Sequence, residues 1–157
     1  MSRTGTSRNI RPVMLALSNS QESNGAIEAA INSARESKNL LVVYVVDVNL
    51  AYHFIETDVG FYPQIKERCE DELLNEYVLR AKKRAASIAQ MANREGIAVT
   101  SYVDTGRFVR KCLEVIQSEK PDLVITTRSR RPRWIRRLFG SSTDYLITHS
   151  GCRVIEA

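Results

Sequence analysis

The chain has 157 residues, 43% hydrophobic and 26% charged, which is enough for one domain with a full core. Its formal charge of +5 is local: Arg128, Arg130, Arg131, Arg133, Arg136 and Arg137 lie close together, and removing those six charges leaves −1. That excludes a generally basic nucleic-acid binder, and no apolar run approaches the roughly 18 residues of a membrane span.

Residues 1–10 carry basic residues with no apolar core behind them, and read as a flexible basic tail rather than a signal peptide. The folded domain is expected over 11–157. PVMLALS (12–18) is apolar without alternation, the pattern of a strand buried on both faces. NSQESN (19–24) is turn-rich, and Asn24 is the expected N-cap of a helix carrying Ala26, Ile27, Ala30, Ile31 and Ala34 at helical spacing. LLVVYVV (40–46) is a second buried strand.

Residues 48–62 form a longer connection with aromatics. A helix then starts at Pro63 and runs to about Arg94, with Ile65, Cys69, Leu73, Val78, Ala81, Ala85, Ile88 and Met91 near one face and Gly96 at its C-cap. IAVTSYV (97–103) is a third strand and DTGR a turn. The next helix bears Phe108, Val109, Cys112, Leu113 and Ile116 and stops at Pro121. DLVITT (122–127) is a fourth strand. After the arginine stretch, Ser141–Ser150 reads as a helix and CRVIE (152–156) as a fifth strand. The alternation predicts a single-domain α/β fold: a five-stranded parallel sheet of flavodoxin-like or Rossmann-like type with helices on both faces. Ligands of such sheets sit at the carboxyl ends of the strands, here Ser18–Ser20, Val45–Asp47, Asp104–Gly106 and Thr126–Ser129.

The chemistry-bearing residues are sparse. Cys69, Cys112 and Cys152 are far apart and form no CxxC, which fits reduced thiols and a cytoplasmic location. His53 and His149 have no companions at metal-ligand spacing, so no metal set is assigned. His149 suits a helix C-terminus. Ser18 and Ser20 read as turn and cap residues, because no base is positioned beside them, and Asp47 and Asp104 as turn contacts near the crevice. No catalytic residue is assigned. Within the arginine stretch, Trp134, Ile135, Leu138 and Phe139 share one helical face and are expected to dock on the domain.

PVMLALSNSQES, LLVVYVVDV, VDTGR with VRKCLEVIQSEKPDLVITTR, and LFGSSTDYLITHSGCRVIEA together resemble the universal stress protein family over about residues 10–156. ATP-binding members carry Gly-x2-Gly-x9-Gly-Ser/Thr after the fourth strand. Gly140-Ser141 matches its end, while Arg130 and Thr127 stand where the two earlier glycines belong. Ser18 falls where the family has an acidic residue. The resemblance implies Val45 on the adenine side and Gly140, Ser141, Ser142 and Thr143 on the phosphate and ribose side. A β-branched Thr127 would be strained if the backbone required a glycine's positive φ.

The first reading is therefore a regulatory, stress-response protein with weak or absent ATP binding. One alternative is an ATP- or ADP-binding member, with magnesium and slow hydrolysis, whose phosphate site at 128–143 is rebuilt by Arg128, Arg130 and the other loop arginines on the helix N-terminus. Another is contact of the arginine stretch with nucleic acid or another polyanion, and a protein partner fits the regulatory role. The resemblance also implies a homodimer through Arg153, Val154, Ile155 and Glu156.

Overall fold

All six residues of VMLALS are buried in β1 (Val13–Ser18) of the computed structural model, which describes residues 11–19, 22–47, 63–128 and 142–157. The chain continues through α1 (Asn24–Ser37), β2 (Asn39–Asp47), α2 (Pro63–Arg94), β3 (Ala98–Gly106), α3 (Phe108–Glu119), β4 (Leu123–Thr126), α4 (Ser142–His149) and β5 (Arg153–Glu156). The strands form one parallel sheet in the order β3-β2-β1-β4-β5. This is the doubly wound arrangement, in which strand order reverses beside β1.

Both faces of the sheet are covered, which is why its central strands read as unbroken apolar runs. Val13, Leu15, Leu17, Leu40, Val42, Tyr44 and Val46 face α1 and α2. Met14, Ala16, Leu41, Val43 and Val45 face α3 and α4, meeting Phe108, Cys112, Ile116 and Leu146. Each large aliphatic side chain so buried contributes about 1.5–3 kcal/mol.

Several boundaries differ from the sequence expectation. The cap of α1 is Ser23, not Asn24: its Oγ accepts the Ala26 N–H at 3.0 Å, and Asn24 is already helical. Strand β3 absorbs the expected Asp104–Gly106 turn, because β2 extends to Asp47 and pairs it with Gly106. Gly106 then turns the chain at φ 146°, where an added Cβ would stand 3.1 Å from Lys111 Cε. Among the described side chains of α2 the buried stripe is Ala81, Ala85, Ile88 and Ala92, while Met91 is 40% exposed, and the side chains of Ile65 and Cys69 lie outside the described residues. The helix has turned far enough by its last turn for Ala92 to take the place expected of Met91.

Candidate functional site

Strands β1 and β4 part at their carboxyl ends. Their pairing stops at Ala16↔Thr126, while β1 continues to Ser18 and stays paired with Val45 of β2. Helix α1 leaves β1 toward one face of the sheet, and α4 packs on the other. This is the switch-point crevice where doubly wound folds take their ligands.

Ser18 and Val45 are both buried at this edge. The Oδ1 of Asn19 accepts the backbone N–H of Asp47 at 2.9 Å, so the loop's amide side chain ties the ends of β1 and β2 together. A second anchor holds the start of α1. The Tyr44 hydroxyl donates to Glu22 Oε2 at 3.0 Å, Arg84 of α2 pairs with the other carboxylate oxygen, and Arg84 Nη2 donates to Asn24 Oδ1 at 3.0 Å. Burial, and after it the charge of Glu22, pushes the Tyr44 phenol well above its usual range.

Thr127 does not carry the strain its position suggested. The Ala157 N–H donates to Thr126 O at 2.9 Å and the Arg128 N–H to Ala157 O at 3.1 Å. Those two bonds bracket Thr127 in a parallel bridge with Ala157, so the ladder of β4 and β5 runs one residue further. Among the described non-glycine residues only Lys38 and Lys120 have positive φ. The concern over a β-branched residue held only for a left-handed backbone, and Thr127 is extended. Arg128, the next residue, is exposed.

Thr126, placed by the sequence at the carboxyl end of the fourth strand but given no binding role there, also belongs to this edge. Thr126 is fully buried and Thr127 is 6% exposed, and neither Oγ1 has a hydrogen-bond partner. A buried polar group without a partner is uncommon and calls for an explanation. Two consecutive threonines closing an apolar strand were the available signal.

The other expected residues disperse. Arg130, Gly140 and Ser141 lie outside the described residues, as do Ser20, His53, the 48–62 connection, the tail and the docking face around Trp134. Ser142 and Thr143 open α4. Asp104 turns away to Lys111, whose ammonium lies 2.9 Å from its Oδ2 and holds the carboxyl below the usual range. That pair borders a lateral cavity of about 280 Å³ between β3 and α3, floored by Val43, Val45 and Tyr102. Burial raises the Cys112 thiol far above its ordinary value. His149 stacks on Tyr145 with ring centroids 3.9 Å apart and lies in the last turn of α4. Among the described residues no group of three His, Cys, Asp or Glu side chains could hold a metal, and no helix is long and apolar enough to cross a membrane. Arg153, Val154, Ile155 and Glu156 form β5, a sheet edge, with Arg153 exposed and the rest half-buried.

Parallel strands in this order, with a crevice between the ends of β1 and β4, define a doubly wound α/β domain. The family model of the universal stress protein family matches residues 9–155, and the chain belongs to that family. It is 26% identical over 150 residues to the universal stress protein Sll1388 of Synechocystis, covering 91% of this chain and 94% of that one. Universal stress protein UspA from Lactobacillus plantarum superposes with a TM-score of 0.67 at 23% identity, over 94% of this chain and 99% of the other. A universal stress protein solved in complex with cAMP gives 0.57 at 15% identity, over 94% and 97%. A family protein from Arabidopsis thaliana solved with AMP bound gives 0.56 at 13% identity, over 93% and 90%. At these identities the solved structures show the fold alone.

Proposed function

We propose that this protein is a regulatory universal stress protein whose crevice binds an adenine nucleotide more weakly than a member with the full glycine motif, and that does not turn it over efficiently. The observation that carries this reading is the extended backbone at Thr127. Losing the first glycine leaves the strand end regular, so the edge beside Ser18 and Val45 is not blocked by a distorted β4. Two relatives of the same fold were solved with cAMP and with AMP, which supports the choice of ligand class. Weakness follows from what has been given up. A glycine lets phosphate approach the backbone closely, and Asn19, beside the position of the family's acidic residue, has its Oδ1 engaged by Asp47. No residue is assigned to activate water. If magnesium accompanies the nucleotide, its charge is met by the phosphates.

Equilibrium titration with ATP and magnesium at near-physiological salt tests this, with AMP and inorganic phosphate alongside. Saturable binding, weakened by Ser141→Ala combined with Ser142→Ala, is expected. No binding up to millimolar nucleotide would overturn the reading and favour contacts of the arginine stretch with polyanions or proteins.

The protein is further proposed to be a cytoplasmic homodimer paired through β5. β5 is an edge strand of the sheet, a natural pairing surface, which supports a partner on this side. Sedimentation of wild type against Ile155→Lys distinguishes a dimer from a monomer.

A further inference from the structure

We infer that the hydroxyls of Thr126 and Thr127 are ligand contacts that take over from the glycine backbone, and that they select a phosphorylated sugar over a bare phosphate. This rests on the nucleotide reading of the same crevice.

Both side chains are more than nine-tenths buried, and both hydroxyls lack a partner. Valine has nearly the same shape and would avoid an unpaired hydroxyl, so threonine at two consecutive positions is unfavourable for the ligand-free fold. Thr126 is the last residue of β4 paired with β1, and Thr127 is the first beyond that pairing. A ligand at the switch point supplies the missing partners.

The two hydroxyls do not face the same way. Thr126 is in register with Ala16 and shares the face of Val124, the face that α3 and α4 cover. Thr127 is level with Ala157, which packs on the α1 side. Strand alternation thus sets them on opposite sides of the strand end. A compact tetrahedral anion on one side reaches one of them. A ligand that reaches both carries polar groups on two sides, as a ribose phosphate does. A threonine hydroxyl donates and accepts, so it suits a phosphoryl oxygen and a sugar hydroxyl equally. Helix α4 packs over the Thr126 face through Leu146, and the N–H groups of its first turn have no intrahelical acceptor. The phosphate belongs on that side and the sugar on the Thr127 side.

The experiment measures AMP and inorganic phosphate affinity, together with ligand-free melting, for wild type, Thr126→Val, Thr127→Val and Thr127→Gly. Each valine variant should weaken AMP about tenfold or more, the loss expected for one hydrogen bond to a charged or polar ligand group. Ligand-free melting of the valine variants should stay level or rise. Thr127→Gly should also weaken AMP, although it restores a glycine of the family motif. Inorganic phosphate should bind wild type at least about tenfold less tightly than AMP.

Unchanged AMP affinity in both valine variants would remove the hydroxyls as contacts and leave the nucleotide reading standing. Stronger AMP binding by Thr127→Gly would make Thr127 an obstruction. Equal affinity for phosphate and AMP would overturn the two-sided ligand. A fall in ligand-free melting of the valine variants would mean that the hydroxyls are paired within the protein. No AMP binding by wild type would overturn the nucleotide reading itself.

Discussion

Replacing Glu22 tests how the start of α1 is held at the crevice. Glu22 accepts from Tyr44, whose side chain is 6% exposed, and pairs with Arg84. Glu22→Ala leaves the Tyr44 hydroxyl without its charged acceptor, a loss of about 1.5–3 kcal/mol. The Arg84 pair is about one-third exposed and adds at most about 1 kcal/mol. The expected cost is about 2–3 kcal/mol, a fall in Tm of about 5–10 °C for a domain of this size. Glu22→Gln keeps an acceptor and should lose about 1 kcal/mol. Urea melts of Glu22→Ala, Tyr44→Phe and the double variant give the coupling, expected at about 1–2 kcal/mol. Strict additivity would refute the reasoning, because the two side chains would then not act on each other.

The same network sets an alkaline limit. Burial, then the charge of Glu22, holds the folded Tyr44 pKa above its unfolded value of about 10. The stabilisation is therefore complete below about pH 10 and is lost as pH rises toward the folded value. Tyr44→Phe should flatten that limb of the stability profile.

Ser23→Ala removes the hydroxyl that caps α1 and bonds Ala157 O at 3.3 Å, and should cost about 1 kcal/mol in a urea melt. Leu146→Ala empties a fully buried site between α4 and the sheet, with an expected loss of about 2–5 kcal/mol by the same assay. In a thiol-labelling time course, half-buried Cys152 should react in the native protein, whereas buried Cys112 should react only on unfolding.

Much of the fold was legible because burial on both faces writes strands as apolar runs. LLVVYVV can be little else between two turn signals, and Pro63 and Gly96 closely bracket α2. Boundaries were harder, since they depend on partners. DTG reads as a turn by its residue types and becomes strand because β2 offers it a ladder to Asp47. Ser23 and Asn24 are both good caps by type, and only the backbone angles decide between them.

The candidate site was legible only in position. Ser18, Val45 and Thr127 were expected at the strand ends and lie there, because topology alone brings them to one edge. The tie between Asn19 and Asp47 joins residues 28 apart, and that between Glu22 and Arg84 joins residues 62 apart. Neither leaves a local pattern. The strain expected of Thr127 assumed the family's loop backbone, whereas Ala157 extends β5 and keeps the residue in the ladder.

The most direct test of the account is an amide chemical-shift titration of the labelled protein with AMP and with ATP and magnesium. The account predicts saturable shifts clustered at Ser18, Val45, Thr126–Arg128 and Ser142–Thr143, with the amides of Asn32 and Arg35 on the outer surface of α1 unmoved. Saturable shifts centred away from the ends of β1 and β4, or no shifts at millimolar nucleotide, would contradict it.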